Sequence, residues 1–259
     1  MLLTSNFSTP SLEKAKPLTV AEWARFAKFM KFKSRTPGDL LENEYSSLFE
    51  GFNDKSITFE RIDSLMKRGT AMAFALEKWS RADIWVISRA DEEYPNKLKN
   101  KLGHNSPPVL YGCGNKALLN SECIGVVGSR AVSEQDLTFT RSLGERISRK
   151  GLSLVSGGAK GVDQAAMLAA LDAEGTVLGV LADSLLSTCC SQKYNQHLAN
   201  NNLLLISPFF PEARFNVGLA MQRNKYIYWF SDATVVSHAG NPEGSKNSRG
   251  GGTWSGAIE

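Results

Sequence analysis

Over the first third of the chain, apolar residues recur at steps of three and four. Trp23, Phe26 and Met30 form one set, and Leu40, Leu41, Tyr45, Leu48 and Phe49 a second. Ile62, Leu65 and Met66 make a third, and Phe74, Leu76 and Trp79 a fourth. That spacing places side chains on one face of an α-helix. The breakers Thr36-Pro37-Gly38 and Gly51-Phe52-Asn53-Asp54 separate the sets, so the pattern predicts a small bundle of roughly three or four helices over residues 18–80. Residues 1–17, rich in Ser, Thr, Lys and Pro, read as a disordered lead-in.

After Trp79 the period changes. Ile84-Trp85-Val86-Ile87 and Pro107 to Tyr111 read as extended segments, with the acidic turn Asp91 to Pro95 between them. A regular alternation follows. Ile124 to Val127, Leu152 to Val155, Thr176 to Leu181, Leu203 to Ile206 and Ala233 to Val236 are apolar, strand-like runs. A helix with Phe139, Leu143 and Ile147 at steps of four follows the first run, with Ser133 placed to cap its start and Gly151 to end it. A small-residue helix from Asp163 to Glu174 follows the second. Continuous apolar strands alternating with helices indicate a parallel sheet covered on both faces. The expected fold is therefore α/β: a Rossmann-like, doubly wound, mainly parallel sheet over residues 81–259, preceded by the small helical domain. Ligands of such sheets bind at the C-terminal ends of the strands. Gly250-Gly251-Gly252 leads into Thr253 to Glu259, which reads as the start of a helix; the pattern leaves open whether residue 259 is the natural C-terminus.

Composition narrows the classes. Hydrophobic content of 42% and charged content of 22% are those of an ordinary soluble domain. No apolar run reaches the roughly 18 residues of a membrane span, and the N-terminus lacks an apolar signal core. The expectation is a cytoplasmic protein without membrane contact. Cys113, Cys123, Cys189 and Cys190 contain no C-x-x-C pair and read as reduced thiols. Cys189-Cys190 with His197 makes a poor metal site, because adjacent cysteines rarely share a metal and a fourth ligand is not evident. Neither a metal nor a cofactor is expected. The net charge of +4 arises in the first 120 residues, and the remainder is balanced. Any nucleic-acid binding must come from a local cluster of cations.

Three segments fall at the predicted ligand edge. Gly128-Ser129-Arg130 follows a strand, where a glycine permits close approach and the hydroxyl and guanidinium suit phosphate oxygens. Ser156-Gly157-Gly158-Ala159-Lys160-Gly161-Val162-Asp163 joins a strand to a helix. Its glycines expose backbone N–H groups, the helix N-terminus adds positive potential and Lys160 adds a point charge. It matches neither G-x-x-x-x-G-K-[ST] nor G-x-G-x-x-G. In the third segment, Gln222-Arg223-Asn224-Lys225, the arginine and asparagine suit phosphates and base edges. The aromatics that follow, Tyr226 to Phe230, suit the core of a helix packed on a sheet. Asp163 is placed to cap its helix and hold the loop. His238 reads as a satisfied polar residue or a ligand contact. No acid–base pair or Ser-His-Asp order accompanies these segments, so a catalytic site is not expected.

Taken in order, these segments together with Gln164-Ala165-Ala166 and Ser231-Asp232-Ala233-Thr234-Val235-Val236 resemble the DNA-processing protein A (DprA/Smf) family. Asp91 to Leu98 and Pro107 to Gly114 are similar to that family's lead-in, and the resemblance runs over residues 18–259. It implies an extended Rossmann fold behind a SAM-like helical domain. It also implies single-stranded DNA binding at the sheet edge, homodimers, and loading of a RecA-like recombinase in transformation or recombination. Carried over, the DNA pocket would comprise Gly128, Ser129, Arg130, Ser156, Gly157, Gly158, Lys160, Gly161, Arg223, Asn224 and Lys225. Met167 stands where the family usually has histidine and Lys225 where it has a second arginine, so the chain reads as a divergent member. A role in a mobile element or in phage defence is a further expectation for such a member.

The competing reading is an enzyme, a nucleotide-binding or nucleotide-hydrolysing protein resembling the lysine-decarboxylase-like phosphoribohydrolases with their P-G-G-x-G-T-x-x-E motif. Gly251-Gly252-Thr253 imitates the middle of that motif, but Gly256 occupies the glutamate position and Glu259 lies three residues further on. An α-helix rises about 1.5 Å per residue, so the carboxylate is displaced by nearly a turn from where a general acid or base must act.

Overall fold

The computed structural model describes residues 1–7, 15–42 and 45–238. The predicted C-terminal helix and the Gly251 to Glu259 stretch lie outside the described residues. Helices α1 (Val20–Phe32), α2 (Phe59–Met66) and α3 (Gly69–Ser80) precede strand β1 (Trp85–Ser88), α4 (Asn96–Leu102) and β2 (Val109–Gly114). The alternation then runs β3 (Cys123–Val127), α5 (Glu134–Arg149), β4 (Ser153–Ser156), α6 (Val162–Asp172) and β5 (Val177–Val180). It finishes with α7 (Leu185–Cys189), α8 (Gln192–Ala199), β6 (Leu203–Ser207), α9 (Val217–Phe230) and β7 (Ala233–Val236).

The strands form one seven-stranded sheet in the order β1-β2-β6-β5-β4-β3-β7. β3 to β7 are parallel neighbours, whereas β1 and β2 pair antiparallel at the far edge. The fold is thus α/β with a mainly parallel sheet, as the apolar runs indicate. Successive residues of β6 serve opposite faces. Leu203 and Leu205 join Val126, Leu154, Ala166 and Met167 in the core beneath α6. Leu204 and Ile206 join Val127, Val155, Ile227 and Phe230 beneath α9. With both faces covered, every β6 position is buried, which is why the strand reads as an unbroken apolar run.

The chain steps β3, β4, β5, β6 in one direction and then returns through α9 to β7 on the other side of β3. The reversal puts the topological switch point, where open α/β sheets hold ligands, between the C-terminal ends of β3 and β7, with the end of β4 next along the same edge.

The helical part has its own core of Leu18, Phe26, Met30, Leu40, Ile62 and Leu65. Thr19 caps α1 in a reciprocal box with Glu22. The periodic set around Leu40 and Leu48 forms two short 3-10 turns, Pro37–Leu41 and Ser46–Phe49, rather than a helix. Trp79 of α3 is buried in the sheet core, edge-on to Tyr111 with ring centroids 5.2 Å apart. The expected disorder of the lead-in does not hold for its first residues. Leu3 and Phe7 are buried, and the hydroxyls of Ser5 and Tyr111 are hydrogen-bonded. Residues 8–14 lie outside the described residues. The predicted capping of α5 is observed: Ser133 accepts from the Asp136 N–H, and Gly151 takes a left-handed φ of 70° just past the helix.

Candidate nucleic-acid interface

Two loops meet at the switch point. The loop after β3 carries Gly128, Ser129 and Arg130; the loop after β4 carries Gly157 to Gly161 and leads into α6. Their backbones touch. The Val162 N–H donates to the Ser129 carbonyl at 3.3 Å, and a Cβ on Gly161 would lie 2.5 Å from that same oxygen. Gly161 also sits at φ 88° and ψ −130°, a conformation open in practice only to glycine. Arg130 and Lys160 flank this contact, and both are exposed. The N-terminus of α6 lies beside them and adds its positive potential.

Ser129 is held by its surroundings. Its N–H donates to the His238 carbonyl at 2.7 Å, and its hydroxyl donates to the Ala131 carbonyl at 2.9 Å. The residues after β7 are therefore stitched to the Arg130 loop. Ser237 reinforces this by donating its N–H to the Val127 carbonyl and by hydrogen-bonding the Thr140 hydroxyl at 2.8 Å. The His238 imidazole faces the Asp136 carboxylate at 3.7 Å.

Beneath the glycine loop lies a buried ion pair. Arg223, only 4% exposed, comes from α9 on one face of the sheet. Asp163 comes from the first turn of α6 on the other, and the two meet at 3.2 Å over the end of β4. Gly157 makes the meeting possible, because a Cβ there would fall 0.7 Å from Arg223 Nη1. Asp163 also accepts from the backbone N–H groups of Ala159 and Gly128, so one carboxylate ties α6, both loops and α9 together. Burial pushes this carboxyl above the ordinary range, against the opposing pull of the Arg223 guanidinium and the two N–H donors. Asp163 holds the loop as its position suggested, but it does not cap its helix: it lies within the first turn of α6, whose N-cap is Gly161 with no side-chain cap.

The structure divides the sequence-derived site residues. Gly128, Ser129, Arg130, Gly158, Lys160 and Gly161 lie together on the two touching loops. Ser156 is buried, and its hydroxyl donates to the Val126 carbonyl at 2.6 Å. It joins β4 to β3 rather than presenting a hydroxyl at the surface. Gly157 and Arg223 are buried beneath the loop, so the Arg223 guanidinium is a support and not a surface cation. Asn224 is half-buried on α9. Lys225, also half-buried, lines a separate cavity with Gln222, Tyr226 and Trp229. Of the α9 aromatics, Tyr226 and Phe230 are buried in the core, whereas Tyr228 and Trp229 are half-buried against it.

Sequence reasoning missed Phe215. Its ring is 53% exposed in the loop before α9, with the Arg130 guanidinium 5.0 Å from its centroid. The signal was an aromatic in the otherwise polar run Arg214-Phe215-Asn216, directly ahead of a helix capped by Asn216. Val217 and Met221 extend the exposed apolar surface along α9. The arrangement offers cations for phosphates beside an uncovered ring for a planar group.

Residues 85–250 match the family model described as DNA recombination-mediator protein A. The chain is 28% identical over 173 residues to DNA processing protein DprA of Bacillus subtilis, covering 66% of this chain and 57% of that protein. It is 30% identical over 196 residues to the putative DNA processing protein DprA of Mycobacterium tuberculosis, covering 71% and 49%. The chain thus spans about half the length of these relatives. Among solved structures, DNA processing protein A of Streptococcus pneumoniae superposes with a TM-score of 0.62 at 22% identity, over 86% of this chain and 75% of that one. DNA processing protein A of Helicobacter pylori, whose structure describes a single-stranded DNA binding mode, gives 0.52 at 22% identity, over 68% and 74%.

Proposed function

The chain belongs to the DNA recombination-mediator protein A family, and from that premise we propose that it binds single-stranded DNA at the switch point and catalyses no reaction there. The observation that carries this reading is the pair of touching loops that present exposed Arg130 and Lys160 beside the uncovered ring of Phe215. Arg130 and Lys160 engage phosphates, the loop glycines let the backbone come close, and Phe215 receives a base. Arg223 and Asp163 act from behind, fixing the loop that carries Lys160. Exposed cations beside an uncovered ring suit a flexible strand with unstacked bases better than a rigid duplex. The single-stranded DNA binding described for the Helicobacter pylori relative supports the choice of ligand.

The same reading places the protein in the cytoplasm as a homodimer that delivers single strands to a RecA-like recombinase. No described helix is long and apolar enough to cross a membrane. The family match favours binding over the phosphoribohydrolase alternative.

The test is a titration of single-stranded DNA, duplex DNA and mononucleotides against the purified chain. Tight, salt-sensitive binding of single strands with weaker duplex binding is the expected result. Salt-insensitive affinity, or release of free base from a nucleoside monophosphate, would promote the enzyme reading instead.

A further inference from the structure

Around α9 from Arg223, a cavity of about 730 Å³ opens between the helical part and the sheet. One wall is the N-terminal segment around Thr4 with Lys16 and the start of α1. The other is a stripe of α9 formed by Gln222, Lys225, Tyr226 and Trp229. These four positions follow helical spacing and so share one face, whereas Arg223 lies about 100° around the helix from Gln222. α9 therefore borders both the buried pair under the glycine loop and this cavity.

The lining has a consistent chemistry. Tyr226 and Trp229 stand edge-to-face, with ring centroids 5.1 Å apart. Lys16 and Lys225 supply positive charge, and no Asp or Glu is among the described lining residues. Aromatic walls and cations together suit a planar heteroaromatic ring joined to an anion.

We propose that this cavity is a second site, distinct from the loop site, and that it takes a nucleotide unit. The unit is either the distal part of a strand already held at the loops or a free nucleotide. The first source rests on the single-strand reading above; the second does not. A strand leaving the Arg130 loop would pass exposed Phe215, Val217 and Met221 before reaching Gln222.

The test places carboxylates in the cavity from both walls, using Gln222→Glu and Ala21→Glu, both at exposed positions. Circular dichroism and the thermal midpoint verify folding. Binding of thymidine monophosphate and of oligothymidylates of about 4 and about 16 nucleotides is measured on the full chain. A carboxylate about 7 Å from a phosphate in a water-like medium weakens binding about threefold, so the double variant should lose nearly tenfold. If a strand fills the cavity, the loss appears for the long oligonucleotide and leaves the short one within about twofold; Gln222→Lys should shift the long one the opposite way. If free nucleotide fills it, the loss appears for thymidine monophosphate alone. If wild-type protein binds neither oligonucleotide, the loop-site reading fails, and the monophosphate arm still decides the cavity. An unchanged long-to-short ratio together with unchanged monophosphate binding overturns the proposal.

Discussion

Gly157→Ala adds a single methyl group at the end of β4. The residue's φ is not positive, so the backbone itself accepts alanine. The space does not, because the new Cβ would overlap Arg223 Nη1 at 0.7 Å and Cζ at 2.0 Å. The guanidinium must leave, and the Asp163 carboxylate then sits buried beside only backbone donors. Breaking a buried pair by displacing one partner costs about 3–5 kcal/mol. With a urea m-value of about 2–3 kcal/mol/M for a domain of this size, the unfolding midpoint should fall by about 1–2 M. The decisive comparison is a cycle with Arg223→Ala. In that background the guanidinium is already gone, and adding the Gly157 methyl should cost less than about 1 kcal/mol. If Gly157→Ala costs the same with and without Arg223, the two residues do not compete for one space and the assignment of Arg223 as a buried support is wrong.

Arg130 and Lys160 together neutralise about two phosphates, so log K for single strands should fall with log salt at a slope near −1.4, and Arg130→Ala should bring it to about −0.7. An unchanged slope would remove Arg130 from the phosphate path. Phe215→Ala should weaken single-strand binding by about five- to tenfold while leaving the slope alone, since it removes stacking and no charge; a changed slope would show that the ring acts only by holding Arg130. In the helical part, hydrogen bonding from Arg61 holds the Glu22 carboxyl at about 2, below its usual 4.5. Because the folded value is depressed, the stabilisation is present above about pH 4.5 and disappears as pH falls towards 2, amounting to about 1–2 kcal/mol after solvent screening. Urea titrations of Glu22→Gln should therefore diverge from wild type above pH 5 and converge near pH 2; a pH-independent gap would contradict the pairing.

Strands were readable where burial on both faces leaves no polar position, as in Leu203 to Ile206. Residue by residue, those side chains serve two different cores, and the run needs no period to be recognised. Helices with caps were equally readable, Ser133 and Gly151 bracketing α5 as their chemistry requires. Arg223 was not. Next to Asn224 and Lys225 it looks like a surface cation, and its partner Asp163 lies in another segment of the chain. Only the fold brings helices from opposite faces together over Gly157, where the missing side chain is the visible trace of the pair. Leu3 and Phe7 went unread because two apolar residues in a polar stretch carry no period; their burial comes from tertiary packing. Helices α7 and α8, of 5 and 8 residues, are too short to show two turns of an apolar stripe.

The hydrogen bond from the Ser129 N–H to the His238 carbonyl has a kinetic consequence. β7 stands at the edge of the sheet and pairs with β3 alone among the described residues. Edge elements open more often than the centre of a sheet, and amide hydrogen exchange records each opening. The Ser129 amide thus serves as a clock for the undocking of β7: it can exchange only when His238 lets go. Ligand that requires the Arg130 loop in place must slow that clock, and by reciprocity anything that pulls on the chain beyond His238 must change how tightly ligand is held.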